Sequence, residues 1–164
     1  MAAAPDVASG TMTEALQDTY SPNNICFGCG PANLDGLHIK SYPAGDEVIA
    51  EFTPSDHHQA FPGAINGGII GTLLDCHMNW TAAYALMNEA GAESVPPTVT
   101  AKFSVEFLRP TPAGEPLRIA AHVVSIDGNK GEVEATVQAL GEVTARGKGT
   151  FVVVGEDHPA AERW

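Results

Sequence analysis

The chain has 164 residues, 44% of them hydrophobic and 17% charged, a balance that suits one globular domain with a sizeable core. Twenty acidic against eight basic side chains give a formal net charge of -12, which excludes a nucleic-acid binder dependent on clustered Lys and Arg. A membrane span needs roughly 18 consecutive apolar residues, and Asp75, His77 and Asn79 interrupt the only long hydrophobic region. The first basic residue is Lys40 and there are three cysteines, so neither a signal nor a transit peptide is expected. The expected setting is a reducing cytoplasm with free thiols.

Residues 1–24 are small, polar and broken by proline, and read as a flexible N-terminal arm with one short helix near Thr13–Asp18. Cys26 and Cys29 then form a C-x-x-C. A structural zinc site takes four ligands; no second C-x-x-C follows, and no spacing rule recruits His38 or His58. The pair therefore reads as a compact turn that packs the arm onto the body, with no metal expected. Leu37–Tyr42 and Glu47–Thr53 read as strands separated by Pro43-Ala44-Gly45-Asp46.

Gly67 to Asn88 reads as a long helix, apolar around most of its circumference and so expected to be buried. Downstream, Thr98–Leu108 alternates, with Val99, Ala101, Phe103, Val105 and Phe107 on one face and Thr100, Lys102, Ser104 and Glu106 on the other. Leu117–Ile126, Glu132–Ala139 and Val143–Val154 complete four strands whose short turns favour antiparallel neighbours. The expected class is α+β, with a domain over residues 25–155 that encloses one helix and a C-terminal tail at 156–164.

Asn66-Gly67-Gly68 with Asp75, the segment CFGCGPANLDGLHI (26–39) and the segment HHQAFPGAINGG (57–68) resemble the hotdog-fold thioesterases of the PaaI and 4-hydroxybenzoyl-CoA type. In that family a curved antiparallel sheet wraps a long helix. The helix opens with His-Gly-Gly, and an Asp follows nine positions after the His. The resemblance implies an acyl-CoA or acyl-carrier thioester as substrate, with coenzyme A as part of that substrate and no separate cofactor. It also implies a homodimer, or a dimer of dimers, with composite sites. Here Asn66 replaces the His; it can hydrogen-bond but cannot titrate near neutral pH, so only an orienting role is assigned to it.

Thioester hydrolysis needs an oxyanion stabiliser and a group that attacks or activates water. A helix start offers free N–H groups, and glycine lets a carbonyl approach them. Gly67, helped by Gly68, is the candidate donor; alternatively, the two glycines only let the helix pass tightly under a strand. Asp75 is the candidate nucleophile or general base, the alternative being a structural carboxylate. Gly67 and Asp75 lie eight residues apart, about 12 Å along a helix, so one chain cannot bring both to one carbonyl; the resemblance places Gly67 of a second copy opposite Asp75.

Asn79, one turn beyond Asp75, is a candidate to hold the water or orient the acid, or else a polar interface residue. His77 points away and reads as structural, and Cys76 reads as a small core residue. His58 is placed at the pocket mouth or on a surface loop. Phe61, Ile65 and Trp80 are placed against the acyl group, and Arg109 is the first choice among the strand-half cations for the nucleotide phosphates. A non-catalytic acyl-CoA-binding protein and a hotdog hydratase or dehydratase are the alternatives.

Overall fold

The computed structural model describes residues 13–164; the first twelve residues of the expected arm lie outside the described residues. In chain order the elements are α1 (Leu16–Tyr20), β1 (Tyr42–Ala44), β2 (Glu47–Phe52), a 3-10 turn (Asp56–His58), β3 (Gln59–Phe61), β4 (Ala64–Ile65) and α2 (Gly67–Glu89). There follow β5 (Thr98–Phe107), β6 (Leu117–Asp127), β7 (Lys130–Ala139), β8 (Glu142–Val153) and a final 3-10 turn (Pro159–Arg163). Six strands form one antiparallel sheet in the order β1-β2-β6-β7-β8-β5, and β3 pairs with β4 in a separate hairpin. One long helix packed against one antiparallel sheet is the α+β arrangement that the sequence implies.

Turn chemistry fixes the ladder. Between β7 and β8, Leu140 (φ 53°) and Gly141 (φ 79°) both adopt positive φ, the two-residue geometry whose twist matches the flanking strands. Leu74 and Met78 on the sheet side of α2 are fully buried. A Cβ added to Gly147 of β8 would lie 3.1 Å from both Leu74 and Met78, so this glycine sets how closely the helix can approach the sheet.

The sheet covers only part of α2; the segment ahead of β1 covers another part. Leu16 and Gln17 are fully buried, so from Ala15 onward the stretch read as an arm packs on the body. A continuous polar chain fastens it there. Gln17 donates to Ser41 Oγ (2.9 Å) and accepts from the Ser41 amide (2.8 Å), and Ser41 Oγ meets His77 Nδ1 at 2.8 Å. His77 Nε2 lies 2.8 Å from the Val48 carbonyl. A carbonyl can only accept, so Nε2 carries the proton, and Nδ1 accepts from Ser41. Both ring nitrogens are satisfied by neutral partners, and burial holds the imidazole pKa down at about 4. His77 is a neutral structural residue, as its position on the helix indicated.

Two strand readings need correction. Leu37–Tyr42 is not a strand: β1 begins at Tyr42, and the turn narrows to Gly45-Asp46. Leu37, Ile39 and Ser41 are buried and alternate with less buried neighbours, but Leu37 and Ile39 donate to the carbonyls of Phe27 and Gly28. His38 takes a positive φ of 55°. The period-two pattern is that of a loop draped over the helix.

In β5, the register slips at Ala101, between the pairs Thr100–Phe151 and Lys102–Thr150. One extra residue reverses the facing of everything before it relative to everything after it. Thr98 and Thr100 therefore turn towards α2 together with Phe103, Val105 and Phe107, and the reading that Val99 and Ala101 share a face with those three does not hold.

Candidate active site

Asn66 caps α2. Its side-chain oxygen accepts from the amides of Gly68 (2.7 Å) and Ile69 (3.3 Å), satisfying two of the donors that a helix start leaves open. Gly68 is thereby removed from the candidate oxyanion donors, because its N–H is already taken. The Gly67 N–H has no acceptor among the described residues. It opens the helix at the positive end of the dipole, with the ring of Phe107 against the glycine's bare face.

From this end an open groove of about 460 Å³ runs along α2, lined by Gly67, Gly68, Gly71, Thr72, Asp75, Phe103, Val105 and Phe107. Asp75 is half-buried. Thr100 Oγ1 donates to its Oδ1 at 2.6 Å, fixing the carboxyl rotamer by way of the β5 bulge. Burial pushes the Asp75 pKa up, while the Thr100 hydrogen bond and the positive charge of Arg163 pull it down and Cys26 nearby adds to the rise. The upward push is the largest influence, and it makes this carboxylate a stronger base than one in water.

Arg163 arrives from the C-terminal segment. Ser21 Oγ donates to the Arg163 carbonyl, and the guanidinium lies over the Trp164 ring, 4.6 Å from its centroid. Trp164 in turn packs against Trp80, with ring centroids 4.5 Å apart. Residues read as a polar tail are thus docked beside the site.

The remaining candidates are dispersed. Asn79 is buried, and its amide reaches the Thr98 carbonyl at 3.4 Å rather than Asp75; Thr100 occupies the orienting position assigned to it. His58 accepts from the Ser55 amide and lines a different depression, with Phe27, Phe52 and Ile69. Ile65 is buried in β4, and Phe61 is 60% exposed on β3; neither lines the Asp75 groove. Trp80 is fully buried. Arg109 is engaged by Glu142 at 2.5 Å. Further depressions on the sheet are lined by charged side chains such as Lys102, Glu134 and Lys148.

Two features escaped the sequence. Thr100 was placed on the face opposite Phe103, Val105 and Phe107 because a bulge leaves no mark on strict alternation. Cys76, 47 residues beyond Cys29, joins the C-x-x-C: the sulfurs of Cys26, Cys29 and Cys76 all lie within 4.8 Å of one another. Cys76 is the small core residue the sequence indicated, and the structure adds its two sulfur neighbours.

Comparison with known proteins bears on the family and the fold. Residues 62–153 match the family profile described as "Thioesterase superfamily", more than half of the chain. Acyl-coenzyme A thioesterase THEM4 of Rattus norvegicus is 25% identical over 118 residues, covering 71% of this chain and 47% of the relative. The chain thus spans about half the length of that curated relative. A thioesterase superfamily protein from Shewanella loihica PV-4 is 33% identical, with a TM-score of 0.62 and coverage of 76% of this chain and 98% of that one. The E. coli PaaI protein shares the fold at 19% identity, with a TM-score of 0.59 over 73% of this chain and 81% of its own. The architecture of one long helix against a six-stranded antiparallel sheet is therefore the hotdog fold, and the chain belongs to the thioesterase superfamily.

Proposed function

We propose that the protein hydrolyses acyl-CoA thioesters as a homodimer, with Asp75 of one protomer and the Gly67 amide of the partner subunit forming each site. The observation that carries this reading is the pairing of a half-buried, base-strengthened Asp75 with a free helix-start amide along one uncovered groove. They are separated by about 12 Å on the same helix. A thioester carbonyl needs both within about 3 Å, and a second helix running antiparallel supplies the match. Edge strand β5 is consistent with such a partner. Among the described residues it pairs only with β8, and its Phe103 and Phe107 are 42% and 56% exposed, an apolar edge that solvent alone does not favour.

In this arrangement the thioester carbonyl points at the Gly67 amide, which stabilises negative charge as the tetrahedral species forms. Asp75 Oδ1 is held by Thr100, leaving the other oxygen to attack the carbonyl carbon or to take a proton from water. Similarity to an acyl-coenzyme A thioesterase supports CoA as the thiol half.

The test is thiol release from a panel of acyl-CoA esters. Asp75→Asn should keep the wild-type dimer mass and lose at least about 100-fold in rate; a rate near wild type would eliminate Asp75. A second reading, acyl-CoA binding without turnover, is favoured by Asn66, which caps the helix where the family places a His. Binding of CoA esters by the wild type with no thiol released would establish it.

A further inference from the structure

The segment Cys26-Phe27-Gly28-Cys29-Gly30 is a tight knuckle held against α2. Gly30 N–H donates to the Cys26 carbonyl at 2.8 Å, and Asn24 Oδ1 accepts from the Cys26 amide at 2.8 Å. A Cβ on Gly30 would lie 2.4 Å from the Asn24 carbonyl oxygen, and one on Gly28 would lie 2.4 Å from Cys76 Sγ. Both glycines are needed to bring this loop down onto the helix. The outcome is three sulfurs turned towards one point: Cys26 and Cys76 are 3.8 Å apart, and all three fall within 4.8 Å.

All three are free thiols, and their environment favours sulfur as an acceptor. The buried Trp80 indole N–H donates to Cys29 Sγ at 3.3 Å, an oriented donor of the kind that supports metal-bound thiolates from outside the ligand shell. Cys29 is fully buried and Cys76 nearly so, whereas Cys26 is only partly covered. One side of the cluster thus remains approachable.

The geometry points to a zinc(II) site built by Cys26, Cys29 and Cys76, with its fourth position open to water or another small ligand. Thiolates bound tetrahedrally at about 2.3 Å from zinc stand about 3.8 Å from one another, which is the Cys26–Cys76 spacing. A disulfide pair would use two sulfurs at about 2 Å and leave the third without a role; three convergent sulfurs fit a metal better. The site would clamp residues 24–30 onto α2 at the position next to Asp75. It stands on the cysteine geometry alone and does not depend on thioester hydrolysis.

The test is elemental analysis of the full chain, purified without chelator under reducing conditions. We expect about one zinc per chain, released when a mercurial reagent titrates the thiols. Cys26→Ser, Cys29→Ser and Cys76→Ser should each remove it, and Asp75→Asn should retain it. Should a serine variant fail to fold, titrating zinc-free wild type with cobalt(II) answers the same question, since a thiolate-to-cobalt charge-transfer band and tetrahedral ligand-field bands should develop to one equivalent. Purified chain without zinc that also gives no such spectrum with cobalt would overturn the assignment. So would an intact mass showing that the isolated protein carries a disulfide among these cysteines.

Discussion

At the scale of single residues, Asp75 is informative because its environment pulls in two directions. Burial raises its pKa, and the Thr100 hydroxyl, which bonds best to the charged form, opposes the rise. Thr100→Val keeps the shape of that side chain and deletes the donor. Its kcat for thiol release should fall by about tenfold with the melting temperature little changed, since in the proposed mechanism the hydroxyl orients the reacting carboxylate rather than filling the core. His77 shows the opposite use of a titratable group. Its folded-state pKa of about 4 lies below the ordinary value of 6.5, so the unfolded chain binds the extra proton first as pH falls. The neutral ring's contribution is fully present above about pH 6.5, declines through the interval down to about 4, and amounts to roughly 3 kcal/mol. Denaturant titrations at pH 7 and pH 4.5 should show that loss in the wild type, and His77→Gln should show a weaker dependence on pH.

At the scale of elements, α2 was legible almost to the residue. Nothing but burial accommodates so many apolar side chains around one helix, and Asn-Gly-Gly marks its start. The later strands were legible because short turns punctuate clean alternation. What alternation cannot convey is whether a ladder exists. Leu37, Ile39 and Ser41 alternate in burial because they drape over a helix, and the Ala101 bulge flips half of β5 without altering its composition. Thr100 was hidden for that reason, and Cys76 because its two partners lie on a loop 47 and 50 residues earlier. The helix start also yields a test that leaves the element intact. Gly67 is the first residue of α2, where proline is well tolerated, and the extended Asn66 (φ -58°, ψ 133°) suits a residue that precedes proline. Gly67→Pro should preserve helicity while deleting the proposed oxyanion donor, the exposed Phe107 ring giving way by a few tenths of an ångström to the added Cβ, and kcat should fall by about 100-fold.

At the scale of the whole molecule, the apolar edge and the uncovered groove lie together. Phe107 touches the face of Gly67 and lines the same groove as Asp75. Phe107→Glu puts a charge on that edge in a chain that already carries -12, so self-association should weaken by at least about 100-fold. Activity should fall in parallel and recover as protein concentration rises. Sedimentation and rate measurements on one dilution series check this, and full activity in a purely monomeric sample would refute the composite site.

The separation of Asp75 and Gly67 along one rigid rod has a consequence for inheritance as well as for catalysis. Asp75→Asn and Gly67→Pro, each strongly impaired alone, strike the middle and the start of α2 and hence, in the proposed composite site, different halves of each reaction centre. Unfolded together and renatured at equal amounts, they should form mixed pairs in which one centre collects both lesions and the other is whole. Statistical pairing would restore about a quarter of wild-type turnover, and two loss-of-function alleles of this gene would complement each other in a single cell.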